Sequence, residues 1–65
     1  MTVEEFDTEI NEAVDSFIAD LKVRKQWLED RITIACERAV EHKLPVHLCE
    51  ASVKAAMVRM EYDLQ

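Results

Sequence analysis

From Val3 onward, apolar side chains recur at three- and four-residue spacing: Val3, Phe6, Ile10, Ala13, Val14, Phe17 and Leu21. At 100° per residue they fall on one stripe about 100° wide, the pattern of an amphipathic helix. The stripe stays in phase through Leu28, Ile32, Ala35 and Ala39, because Val3, Leu21 and Ala39 are 18 residues apart and share one angle. The segment DLKVRKQWLEDR, residues 20–31, holds no Gly, Pro, Asn or Ser, so nothing local interrupts the pattern. The spacing predicts one helix over residues 2 to about 43, roughly 60 Å long at about 1.5 Å per residue. TVEE at residues 2–5 supplies its start as a capping box, with the Thr2 hydroxyl accepting from the Glu5 amide and the Glu5 side chain reaching back.

A second apolar set, Val23, Trp27 and Ile34, lies opposite Leu28 and Ile32, so the later part of this helix needs cover on two sides. HKLPVH turns the chain over residues 43–46, since Pro45 cannot continue a helix and suits the start of a new one. Residues 46–64 carry Cys49, Val53, Ala56, Met57, Met60 and Leu64 at helical spacing and fold back as an αα-hairpin. Its core is expected to be Val23, Trp27, Ile34, Val53, Met57 and Met60, with Trp27 largely buried between the two helices. The second helix is too short to pass Val23. Val3, Phe6, Ile10, Val14, Phe17 and Leu21 are then left for self-association, because such a stripe in water marks an association site. The expectation is an all-α single domain over residues 1–65, a long amphipathic helix plus a shorter helix folded back, assembling as a homodimer or higher oligomer. The alternative is a three-helix monomer broken near Lys22 to Gln26.

Composition agrees with helices throughout: no Gly, one Pro, 49% apolar and 34% charged residues. A chain of 65 residues buries only about 60% of its unfolded surface, which makes association a natural aid to stability. The net charge of −6 is uneven. Glu4, Glu5, Asp7, Glu9, Glu12, Asp15 and Asp20 precede the first basic residue. Lys22, Arg24, Lys25 and Arg31, beside Trp27, form the one basic band and a candidate contact for a partner. No apolar run approaches the roughly 20 residues of a membrane span, and the acidic opening is unlike a signal peptide, so a cytoplasmic location is expected.

Candidate chemistry is sparse. Cys36, His42, His47 and Cys49 lack CxxC or paired-His spacing, which disfavours zinc, and two buried thiols near a helix turn describe them better. A Cys36–Cys49 disulfide is disfavoured by an offset of about 6 Å along the helix axes. No Gly-rich phosphate loop is present, and neither Cys stands in sequence beside a His with an orienting partner, so no catalytic residue and no cofactor is assigned and the chain is not expected to be an enzyme. A regulator acting by protein–protein interaction fits best. Two alternatives remain, a DNA-binding helical dimer using residues 22–31 and an acidic mimic of DNA. The acidic first half argues against nucleic acid as a partner, since affinity there comes mainly from phosphate neutralisation.

The acidic opening TVEEFDTEINEAV, the stretch DSFIADLKVRKQW and the overall size and layout resemble the small helical early proteins encoded in the exo-xis region of lambdoid bacteriophages. The resemblance implies a non-enzymatic early protein that modulates the host, or the choice between lysis and lysogeny, by binding a host or phage protein in the host cytoplasm. It carries no functional residue over to this chain.

Overall fold

The computed structural model describes residues 1–20 and 24–64. Over them the chain forms three helices, α1 (Val3–Ala19), α2 (Lys25–Glu41) and α3 (Val46–Asp63). α1 begins with the Thr2 cap that the sequence indicates: the Glu5 amide donates to Thr2 Oγ1 over 3.1 Å, and the Phe6 amide to the Thr2 carbonyl over 3.0 Å. Among the described residues the Glu5 side chain makes no return bond to the Thr2 amide.

The single long helix is corrected. Asp20 (φ −134°, ψ 90°) and Arg24 (φ −68°, ψ 145°) are both extended, so α1 ends and α2 starts anew. Leu21, Lys22 and Val23, on which part of that expectation falls, lie outside the described residues. The Cα extents are 33 × 19 × 14 Å, about half the length of the rod that was expected.

Local electrostatics works against this break. α1 ends on Asp20 with no basic residue in its last turn, and α2 opens on Arg24 and Lys25 with no side-chain cap. Each arrangement opposes the helix dipole, at about 0.3–1 kcal/mol apiece. Burial outweighs it. Phe6, Ile10 and Val14 are all 0% exposed, and each such side chain removed from water contributes about 1.5–3 kcal/mol.

The core comprises Phe6, Ile10, Ala13 and Val14 of α1, Leu28, Ala35 and Ala39 of α2, and Cys49 and Ala56 of α3. Four of the nine are alanines, which lets helix axes approach closely where their ridges cross. α1 packs on both other helices, and α3 packs more extensively on α1 than on α2. The expected seam between copies is therefore corrected as well. Phe6, Ile10 and Val14 are covered within one chain, Val3 and Phe17 are half-buried, and Leu21 lies outside the described residues. The short reach of the last helix did not leave the stripe bare, because α1 folds onto α2 and α3.

The α2–α3 connection is a Schellman motif. The Leu44 amide donates to the Ala39 carbonyl and the Lys43 amide to the Val40 carbonyl, both over 3.0 Å. Lys43 sits at φ 57° in the left-handed region, the position that glycine usually takes. Pro45 is the residue before the first turn of α3, so α3 starts at Val46. Lys43→Gly is expected to stabilise the fold by about 1 kcal/mol, read as a higher urea midpoint at unchanged slope. An unchanged or lower midpoint would show that the strain is compensated by a Lys43 contact.

Candidate functional site

Because α3 leans on α1, the seam between α2 and α3 stays open. An apolar groove of about 500 Å³ runs along it, lined by Cys36, Ala39, Val40, Leu44, Val46, Cys49, Glu50, Val53 and Lys54. The helical repeat explains the set. On α2, Cys36 and Val40 lie one step around from the core positions Ala35 and Ala39; on α3, Val46 and Glu50 flank the buried Cys49 and the half-buried Val53. Ala39 and Cys49 form the floor, while Val40 and Val46 stand at the lips 70% and 65% exposed. Glu50 and Lys54 occupy the α3 rim, both exposed.

Both cysteines are free thiols on this groove. Burial, reinforced by the neighbouring Cys49, pushes the Cys36 thiol above its ordinary pKa, which keeps it protonated and weakly nucleophilic. His42 and His47 do not join them. The Met1 amino group lies 3.4 Å from His42 Nδ1, and His47 is exposed on α3. Among the described residues no three His, Cys, Asp or Glu side chains gather as a metal-binding group.

The basic band is dispersed. Lys22 lies outside the described residues; Arg24 and Lys25 are exposed at the start of α2; Arg31 is stacked over Trp27, its guanidinium 5.5 Å from the ring centroid. Trp27 is half-buried, and its neighbour across the seam is α1: with Arg31 and Ile34 it faces Glu9, Glu12, Ala13 and Ser16 around a cleft of about 140 Å³. The expectation of Trp27 between the long helix and the last one is corrected accordingly. Once α1 is a separate helix it packs on α2 beside Trp27, which therefore borders α1. Ile34 is 50% exposed there, Val23 lies outside the described residues, and Val53, Met57 and Met60 are half-buried against the core.

Two arginines tie the helices at their outer edges. Arg38 Nη1 of α2 pairs with Glu9 Oε1 of α1 over 2.8 Å. Arg59 of α3 reaches Asp15 Oδ1 over 2.8 Å and Asn11 Oδ1 over 3.0 Å on α1, and Asp63 Oδ2 on its own helix over 3.5 Å. The sequence holds no signal for Arg59 and Asn11, since only docking of α3 on α1 brings residues 48 apart together.

Among the described residues no helix is long and apolar enough to cross a membrane. No family model, no curated protein and no solved structure matches this chain.

Proposed function

We propose that this protein is a non-enzymatic regulator acting by protein–protein contact, and that the contact is made in the groove between α2 and α3. The observation that carries this reading is the exposure of Val40 and Val46 at the lips of an apolar channel. Covering each gives about 1.5–3 kcal/mol if burial is complete, which the isolated chain forgoes. In this reading α2 and α3 act as the two arms of a hairpin that present the channel. The resemblance to phage early proteins supplies a setting, in which the regulator works in the cytoplasm of a bacterial host on a host or phage protein.

The DNA-binding alternative draws on cations that are partly engaged: Arg31 lies on Trp27, while Arg38 and Arg59 are held by carboxylates. Phosphate binding depends on the number of free cations, so protein contact is favoured. In the same way Glu9 and Asp15 are already paired, which weakens the case for a mimic of DNA phosphates.

Affinity capture from bacterial lysate tests the reading with three baits: the parent chain, Val46→Glu and Lys25→Ala. Val46 is the first residue of α3 and largely exposed, so a glutamate there suits the helix dipole and should leave the fold intact. A protein retained by the parent and by Lys25→Ala but lost with Val46→Glu, and then shown to form a stoichiometric complex when purified, is the expected result. Retention by Val46→Glu with loss on Lys25→Ala would move the contact to the basic band and overturn the groove.

A further inference from the structure

Resting on that reading of the groove, we propose that the protein filling it is a second copy of this chain, with the two copies meeting groove to groove about a two-fold axis.

The rim charges support a self-complementary contact. Glu50 and Lys54 are one helical turn apart on α3, and both border the groove. Among the described residues neither side chain has an ion pair or hydrogen bond, whereas those of Arg38 and Arg59 both do. Two-fold symmetry makes every contact occur twice. Opposing Glu50 to the second copy's Lys54 therefore places Lys54 opposite the second copy's Glu50, and two rim pairs form from one pair of residues. Val40 and Val46 stand at the turn end of the groove, to one side of these pairs, and the second copy covers them there.

The distribution of net charge selects this face over others. Two chains of −6 repel, so they associate most easily where their carboxylates stay apart. α1 carries Glu4, Glu5, Asp7, Glu9, Glu12 and Asp15, yet no residue of α1 lines the groove. A groove-to-groove dimer keeps the two α1 helices on its outer sides, separated by both α2–α3 layers. Those layers are thicker than the screening length of about 8 Å at physiological salt. Contact through the exposed face of α1 would set the same carboxylates against each other. Size sets the strength. With Cα extents of 33 × 19 × 14 Å, a dimer must use most of one face to approach the roughly 800 Å² per partner of a standard interface, so a weak, concentration-dependent dimer is expected.

Sedimentation equilibrium of the full chain from micromolar to millimolar concentration tests this, with Val46→Glu, Glu50→Lys, Lys54→Glu and the double exchange Glu50→Lys/Lys54→Glu run alongside. Far-UV circular dichroism of each variant confirms the fold. The expected parent mass rises from 7.6 kDa toward twice that value with concentration. Val46→Glu abolishes the rise, each single exchange weakens the dimer about tenfold, and the double exchange restores it. A parent that stays at 7.6 kDa at millimolar concentration overturns the second-copy assignment alone. The groove as a contact for another protein then stands or falls on whether Val46→Glu loses its captured protein. A dimer indifferent to Val46→Glu overturns this interface, and one lost in Val46→Glu but not rescued by the double exchange overturns the two-fold pairing.

Discussion

Phe6→Ala is expected to bring the protein to the edge of unfolding, at a cost of about 3–5 kcal/mol. Phe6 is the largest side chain with no exposed surface, and it stands in the second turn of α1. Its neighbours in the core include several alanines, which cannot extend to fill the space it leaves. At about 0.05–0.15 kcal/mol per residue, a chain of 65 residues has only roughly 3–10 kcal/mol of stability to lose. Urea denaturation followed by circular dichroism reads the effect. The loss should be independent of protein concentration, because Phe6 is covered within one chain. A loss that shrinks as concentration rises would return Phe6 to a contact between copies, and a loss below about 1 kcal/mol would remove it from the core.

Val14→Asp should cost about as much by another route. Val14 is 0% exposed, and among the described residues no buried polar or charged side chain stands in this core to receive a carboxylate. An ionised carboxylate placed there is left without a partner, at about 3–5 kcal/mol. Desolvation favours the protonated acid, so the aspartate's pKa in the folded state rises above its unfolded value of about 3.9. For a raised carboxyl, the folded state is favoured below the unfolded pKa, and that advantage is lost as pH rises through the folded pKa. The gap between Val14→Asp and its parent should therefore be smallest near pH 3.5 and widen toward pH 7. Comparing the two proteins at each pH cancels the effect of acid on the Arg38–Glu9 and Arg59–Asp15 pairs, which both share. A gap independent of pH would mean that the new carboxyl escapes to water.

The groove shows how differently local and long-range information enter this molecule. Val40 and Val46 belong to none of the apolar sets that the spacing picks out. Glu50 and Lys54 are four residues apart in the last helical segment, and that spacing does not say what they face. They form a rim and two lips only because α3 leans toward α1 and leaves α2 partly bare. Arg59 is the counterpart: an unremarked cation in the sequence becomes the tie between α3 and α1, since docking places Asn11 and Asp15 beside it.

The break after Ala19 is the clearest divergence between the two levels. No Gly or Pro marks it, the residues at both new ends oppose the helix dipole, and the stripe runs through it in phase. Two helices that both turn their apolar faces to one shared core can show the same stripe when the number of residues between them happens to keep the phase. Periodicity alone cannot separate those cases.

The features legible in the sequence are local. The Thr2 cap, the apolar face of each segment, the turn before Pro45 and the all-helical class all follow from interactions within a few residues, whose preferences every conformation of the chain shares. Tertiary structure alone decided which surface covers which face. Closing a short connection costs little entropy next to the burial of Phe6, Ile10 and Val14. The chain therefore covers its first stripe with its own later helices, and the surface left open is the seam between α2 and α3.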